Sequence, residues 1–364
     1  MGSFIDNNFF VIDSNSLEKV ESHLYGFSMV NENIVNDSNY QGEKLCWGAY
    51  VNVIRTDSQI IIKQDNVGSQ GIYLFKSEDY FAISNSFMML MDYLKCKHTL
   101  TINEKYADAF LASGLCVYSF DETLINEISV IDRNAEIYID ITKRVLSMEV
   151  VNTEENTISI GTKEGIKQLD LWYEKWSSVI YGLISRDEQV IVDLTGGFDS
   201  RMVFTLFLHP EINLSRVMIK SDNDKRYTHE EDYAIASKIK EKFGFELNRL
   251  VETGGEVLYN ALDDALDIIF YDKFGFHNGM EIREKSHEKG EYHFSGNGGE
   301  TVRSGDMAKE SVYISQKAKA RSSDFPRKVR LRFSEAISEV MRRSYYLTGE
   351  KLQKNWGGVQ NLLT

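Results

Sequence analysis

Short alternating runs set the pattern of the first ~150 residues. Apolar and polar positions alternate, or β-branched residues cluster, over Leu45–Arg55, Gln59–Gln64, Gly71–Lys76, Asp79–Ser84, Glu136–Ile141 and Arg144–Val151. That period predicts strands. The run Asp65-Asn66-Val67-Gly68 has turn chemistry and separates two of them. Helical spacing interrupts the strands at Phe87–Leu94 and Glu104–Ala112. Two sheets with a few helices account for the pattern. From Gly161 the period changes. Ile166, Leu169, Trp172, Trp176 and Ile180 share one face of a predicted helix over Gly161–Arg186. Val190, Ile191 and Val192 then read as a short buried strand, followed by a Gly-containing turn and a further helical run. The alternation continues as strand Arg216–Lys220, helix Glu230–Phe243, strand Glu246–Val251, helix Glu256–Phe270 and strand Tyr292–Ser295. Alternating strands and helices predict parallel β-α units in an open α/β sheet, with ligands at the carboxyl ends of its strands.

Composition narrows the class. A chain of 364 residues suits two domains. Lys plus Arg number 41 against 55 Asp plus Glu, a net charge of −14, which disfavours nucleic acid as the main partner. Cys46, Cys96 and Cys116 form no CxxC pair, so neither a disulfide framework nor a cysteine-rich zinc site is expected. There is no apolar run of membrane-spanning length and no secretory leader at Met1-Gly2-Ser3-Phe4-Ile5-Asp6, so a cytoplasmic protein is expected, with no membrane partner. The sequence carries no internal repeat and no proline-rich linker.

The strongest chemical signal is Asp193-Leu194-Thr195-Gly196-Gly197-Phe198-Asp199-Ser200-Arg201. Following a buried strand and opening a helix, this segment aims backbone N–H groups one way. Adjacent glycines let an anion approach closely. The Thr195 and Ser200 hydroxyls add donors for phosphate oxygens, and Asp199 suits a Mg²⁺ that bridges phosphates. The Gly-Lys-Ser/Thr ending of a Walker A loop is absent. A simple capped turn is the bland alternative.

At these residues the chain resembles the asparagine synthetase superfamily, whose PP-loop reads Ser-Gly-Gly-x-Asp-Ser, and which includes β-lactam synthetases and lasso peptide cyclases. Thr195 replaces the first Ser and keeps its hydroxyl. The resemblance implies an adenine-nucleotide α-hydrolase-like, parallel-sheet domain in which Leu194, Thr195, Gly196, Gly197, Asp199 and Ser200 hold the pyrophosphate of ATP. It also implies that the strand Val217-Met218-Ile219-Lys220 brackets adenine through Met218 and Ile219. Glu230-Glu231-Asp232-Tyr233-Ala234-Ile235-Ala236 is similar to the helix that follows in the family. Phe294-Ser295-Gly296-Asn297-Gly298-Gly299-Glu300-Thr301 resembles the family's second loop, so Ser295 and Gly296 would touch the nucleoside. Asp199 and Glu300 would bind Mg²⁺. Asn297 and Thr301 depart from that loop by two negative charges. The activity implied is adenylation of a small-molecule or peptide carboxylate by ATP, then amide formation with ammonia or an amine, releasing AMP and pyrophosphate.

The same family carries an N-terminal glutaminase of the Ntn-hydrolase fold, an α+β sandwich. Trp47-Gly48-Ala49-Tyr50, Asp65-Asn66-Val67-Gly68, Ile72-Tyr73, Phe81-Ala82-Ile83-Ser84, Gly114 and Asp121-Glu122-Thr123-Leu124 follow its order. The resemblance thus divides the chain into a class II glutamine amidotransferase-like domain over 1–155 and a PP-loop domain over 156–364. Such a glutaminase needs an N-terminal Cys whose own amine activates the thiolate. Gly2 and Ser3 stand there instead, so glutamine hydrolysis is not expected.

No residue is assigned as a catalytic acid or base. Nine Lys or Arg residues run from Arg303 to Arg332; they suit either an anionic ligand, with Arg303 nearest the second loop, or a solvated surface. His277, His287 and His293 form no metal motif. The chain ends at Thr364, where family members continue with helices that supply a catalytic Lys, and no motif gives that role to Lys351 or Lys354. A nucleotide-binding or scaffold protein of the same fold, no longer catalytic, is the alternative from another class. Substrate identity and oligomeric state are not encoded in any readable motif.

Overall fold

A computed structural model of the chain describes residues 9–30, 33–45, 47–65, 68–104, 106–107, 122–150, 158, 161–222, 229–249, 257–259, 285–287 and 291–296. Architecture is mixed α/β with several sheets.

Among the described residues, ten strands precede the long helix: β1 (Val11–Asp13), β2 (His23–Val30), β3 (Asn33–Val35), β4 (Trp47–Arg55), β5 (Gln59–Gln64), β6 (Tyr73–Lys76), β7 (Phe81–Ser84), β8 (Ile128–Val130), β9 (Ala135–Asp140) and β10 (Val145–Val150). They form a four-stranded sheet in the order β1-β7-β6-β8 and a six-stranded sheet in the order β10-β9-β5-β4-β2-β3. Every pairing in both sheets is antiparallel. Period-two alternation decides which side chains meet. Val51 and Val53, Ile60 and Ile62, and Ile137 and Ile139 point from the larger sheet into one core with Ile12, Leu74 and Ile83 of the smaller sheet. Intervening residues Phe75 and Ala82 point the other way, against helix α1 (Phe87–Leu94), where they meet Phe87, Leu90 and Leu94. Strand β7 is therefore buried on both faces, which explains its continuous apolar run Phe81-Ala82-Ile83. The Ser86 hydroxyl caps α1 by accepting from the Met89 N–H at 3.2 Å.

One buried carboxylate ties this sandwich to its helix. Asp13 ends β1 and accepts hydrogen bonds from the hydroxyls of Tyr80, at 2.9 Å, and Tyr93. Burial pushes its carboxyl up, but hydrogen bonds from Tyr93, Ser16, Tyr80 and the Asn15 N–H together outweigh that and hold it below its ordinary value of 3.8.

The second half opens with α2 (Lys163–Ser185), capped by Thr162, whose Oγ1 accepts from the Gly165 N–H at 3.1 Å. Then come β11 (Gln189–Asp193), α3 (Phe198–Thr205), β12 (Val217–Lys220), α4 (His229–Phe243), β13 (Val257–Tyr259), β14 (Lys285–His287) and β15 (Glu291–Phe294). Parallel pairing runs β12-β11-β15. A parallel bridge from Ile219 to Leu247 continues the sheet beyond β12. The chain thus moves one way from β11 through β12 to Leu247, then returns to put β15 on the opposite side of β11. That reversal of strand order lies between β11 and β15.

Val190, Val192, Val217, Ile219 and Phe294 cover one face of this sheet and pack against Val179, Ile180 and Leu183 of α2. Only the later part of the predicted α2 face is covered: Trp172, Trp176 and Ile180 meet the core, whereas Ile166 and Leu169 are exposed. The two halves touch. Met29 of β2 joins the core beneath α2, and the Trp47 and Trp176 rings meet edge to face with centroids 6.4 Å apart.

Two expectations change. Of the strand predicted over Glu246–Val251, the described residues 246–249 form only the single bridge at Leu247, because Asn248 turns left-handed at φ 57, and Leu250 and Val251 lie outside the described residues. Its side chain instead clamps Ser221, accepting from that N–H and donating to that carbonyl, each at 2.9 Å. Of the helix predicted over Glu256–Phe270, Val257–Tyr259 forms β13, antiparallel to β14. A β-branched and an aromatic residue flank Leu258 there, which suits a strand; the remainder of that span lies outside the described residues.

Candidate functional site

The candidate site forms where the strand order reverses, a position that in open α/β sheets leaves a crevice at the carboxyl ends of two strands. Strand β11 delivers Leu194 fully buried, with its N–H donating to the Lys220 carbonyl at 2.7 Å. Beyond Leu194 the chain leaves the sheet, and two hydroxyls shape the turn. The Ser200 Oγ accepts from the Thr195 N–H at 3.1 Å and lies 2.7 Å from the Thr195 Oγ1. In turn the Thr195 Oγ1 accepts from the Gly197 N–H at 3.0 Å. These bonds fold Thr195–Ser200 into a tight ring, with Gly197 and Phe198 exposed and Ser200 buried.

Gly197 stands at the N-cap of α3 in an extended conformation, with φ −65 and ψ 148, and contributes no side-chain cap. The first turn of α3 therefore opens outward beside the glycines, the end of a helix that favours negative charge. Gly196 and Gly296 sit in close approach to neighbouring segments, and at Gly296 the neighbour is main chain. A Cβ on Gly196 would lie 2.5 Å from the Asp232 Oδ1 and 2.7 Å from the Ile235 Cδ1, both on α4. A Cβ on Gly296 would collide with the Ser200 N and the Asp199 carbonyl carbon. At Gly197 a Cβ would fill the space beside the Thr195 and Ser200 hydroxyls, 3.1 and 3.9 Å away. Three segments distant in sequence thus meet: the loop after β11, the loop after β15, and the first turns of α4.

Among the sequence-predicted residues, Thr195, Gly196, Gly197, Asp199, Ser200 and Gly296 are brought together here, and Ser295 immediately precedes Gly296. Met218 and Ile219 are buried within β12, and the Ile219 carbonyl already accepts from the Asn248 N–H at 2.8 Å. Beyond Lys220, where that strand ends, the buried Ser221 is held by the Asn248 clamp and Asp222 is exposed. Asn297, Glu300, Thr301 and Arg303 lie outside the described residues, as do Gly2, Ser3, Cys46, Cys116, Gly114, Asp121, Lys351 and Lys354.

One pair was not anticipated. His293 on β15 and Asp193 on β11 join through the His293 Nε2 and the Asp193 Oδ1 at 2.8 Å. Each is the second residue before its loop segment, Asp193 before Thr195 and His293 before Ser295. Matching those offsets across two parallel strands is the signal that would have found them. Both are about one-third exposed, with relative accessibilities of 31% and 33%.

The residues present fit a diphosphate: a ring of small residues, two hydroxyls, a helix N-terminus and space that a Cβ would fill. Asp193, Asp199 and Asp232 surround it with negative charge, so a polyphosphate there needs a divalent cation. No group of three or more acidic, His or Cys residues is arranged to hold a metal among the described residues. Mg²⁺ needs only one or two carboxylates when phosphates and water complete its shell, so Asp199 fits that role.

Among the described residues no helix is long and apolar enough to cross a membrane. No family model and no curated protein matches the chain. One solved structure that does match is glutamine phosphoribosylpyrophosphate amidotransferase from B. subtilis, complexed with ADP and GMP. The match has 10% identity and a TM-score of 0.19, covering 59% of this chain and 33% of that one. The chain therefore spans about a third of the length of that protein. A superposition at that level identifies neither a fold nor an activity.

Proposed function

We propose that the chain is an ATP-dependent ligase, forming AMP and pyrophosphate, that adenylates a carboxylate and joins it to ammonia or an amine. The observation that carries the reading is the meeting of Gly296 with Ser200 at the strand-order reversal. It brings the Thr-Gly-Gly-x-Asp-Ser loop and the Ser295-Gly296 loop to one crevice, which supports the roles that the asparagine synthetase superfamily gives their counterparts.

In this reading ATP supplies the phosphoryl electrophile and Mg²⁺ neutralises its phosphate charge. Thr195 and Ser200 exchange their mutual hydrogen bond for bonds to phosphate oxygens. Gly196 and Gly197 leave room for those oxygens, and the N-terminus of α3 stabilises their charge. Asp199 holds the cation, with Glu300 as its partner. The His293–Asp193 pair sits beneath both loops and fixes their separation by joining β15 to β11. In this account ammonia or an amine is the acceptor.

Pyrophosphate exchange into ATP tests the reading, run with panels of amino acids, peptides and sugar acids. Exchange that depends on one carboxylate class and on Mg²⁺ supports it. ATP binding without exchange by any panel member would favour a non-catalytic nucleotide-binding protein of the same fold.

A further inference from the structure

A further cavity lies on the outer face of the six-stranded sheet, and no residue of the candidate nucleotide site lines it. Its volume is about 590 Å³, within the range of small-molecule sites. Strand alternation explains its floor. Val51 and Val53 of β4 point into the sandwich core, so Tyr50, Asn52 and Ile54 point to the opposite face. The segment from Tyr40 to Leu45 forms one wall, and Arg133 to Glu136 the other. The start of the first wall is anchored by its own turn: the Tyr40 N–H donates to the Asn36 carbonyl at 2.9 Å, and the Asn36 N–H donates to the Asn39 Oδ1 at 2.7 Å.

Asn52 is the unusual member. It is only 4% exposed, and its Oδ1 has no hydrogen-bond partner among the described residues, although its Nδ2 donates to the Tyr40 hydroxyl at 3.1 Å. A buried amide left half-satisfied costs about 1–3 kcal/mol unless something else pairs with it. The amide torsion is soft. Turning it over lets Tyr40 donate to the oxygen and leaves the NH₂ group unpaired instead. In either orientation one polar end of a buried side chain lining this cavity lacks a partner.

The charged lining carries both signs. Lys63 and Glu136 pair at 2.8 Å, and the Tyr138 hydroxyl donates to the same carboxylate at 2.6 Å. Arg133 at the rim makes no ion pair among the described residues, and Glu43 faces the same space. A simple anion would meet Glu43 and Glu136. A simple cation would meet Lys44, Lys63 and Arg133. A zwitterion avoids both conflicts, offering a carboxylate to the planar fork of Arg133 and an ammonium or amide to Glu43 and Asn52.

We propose that this cavity is a binding site for a small zwitterion of the free amino-acid class, with Arg133 taking the carboxylate and Asn52 pairing with a polar group of the ligand. The site does not rest on the nucleotide reading, since none of its residues belongs to the second half of the chain.

Calorimetry on the full chain with L-glutamate, L-glutamine and L-serine tests it, with acetate and inorganic phosphate as anion-only probes. Saturable binding of at least one amino acid is expected. Arg133→Gln and Asn52→Leu should each weaken it at least about tenfold, the loss of one charge-assisted or buried hydrogen bond. Arg133 is exposed, so its variant should keep the wild-type thermal transition and carries the test even if Asn52→Leu fails to fold. Mg-ATP binding, measured on the same variants, should not change. Acetate or phosphate binding as tightly as every amino acid would overturn the zwitterion assignment. So would failure of all three amino acids to bind at millimolar concentration, or binding unaltered in both variants.

Discussion

Gly296 lies against the main chain of Ser200, so the loops that follow β15 and β11 touch through a residue with no side chain. Adding a methyl group there forces the loops apart. Gly296→Ala should weaken Mg-ATP binding at least about tenfold and cost about 1–3 kcal/mol of stability, as overpacking does. Gly197→Ala, whose nearest neighbour would be 3.1 Å away, should cost less stability while still weakening the nucleotide. Titration calorimetry with denaturant melts separates the two effects. Equal nucleotide affinity in wild type and Gly296→Ala would contradict the assigned contact.

The clamp from Asn248 holds the open end of β12. Its amide satisfies both main-chain groups of Ser221 while its backbone sits at φ 57, a conformation that Asn tolerates better than most residues. Asn248→Ala removes both bonds and adds backbone strain. A loss of about 2–3 kcal/mol is expected from two hydrogen bonds at about 1 kcal/mol each plus the left-handed penalty. Urea unfolding measures it, and a change within error would mean that the clamp contributes nothing.

In the sandwich, the carboxyl of Asp13 titrates below its ordinary 3.8 because hydrogen bonds outweigh burial. A depressed folded value contributes stability that is fully present above 3.8 and is lost as pH falls through the lower, folded value. The stability gap between wild type and Asp13→Asn should therefore be constant near neutrality and narrow in acid below 3.8. Tyr93→Phe should destabilise at neutral pH by about 1.5–3 kcal/mol, the range for a hydrogen bond to a charged group. It should also move the acid limb upward. Melts across pH read both effects; a gap that widens in acid would reverse the sign of this argument.

Met29 links the halves, reaching from β2 into the core under α2, and the Trp47 and Trp176 rings meet nearby. Met29→Ala should cost about 2–4 kcal/mol, as buried Met truncations do. Because the contact spans both halves, it should also split one unfolding transition into two. A single transition at unchanged temperature would show that the halves unfold together for other reasons.

How far these features could be read in advance follows from where their causes lie. Strand β5 emerged with its exact bounds, Gln59–Gln64, since its alternation is local and complete. Helix α1 likewise coincided with its predicted span, fixed by an apolar run behind the Ser86 cap. Strands β1, β3 and β8 have three residues each, too few to display a period, and β2 is interrupted by Gly26 at φ 90. The strand-turn-helix conformation around Thr-Gly-Gly-x-Asp-Ser was legible because its signals are local in sequence. The side-by-side pairing of β11 with β15 was not, since it joins residues about a hundred positions apart and depends on which strands the core selects. For the same reason the His293–Asp193 pair and the packing of Asp232 against Gly196 became visible only once the sheet was assembled.

The most direct test of the nucleotide reading is calorimetry of ATP binding with and without Mg²⁺, on wild type and Asp199→Ala in parallel. The account predicts Mg²⁺-dependent binding by the wild type that falls below detection in the variant, with thermal stability otherwise kept. Binding of equal strength in both proteins, or none in the wild type, would contradict it.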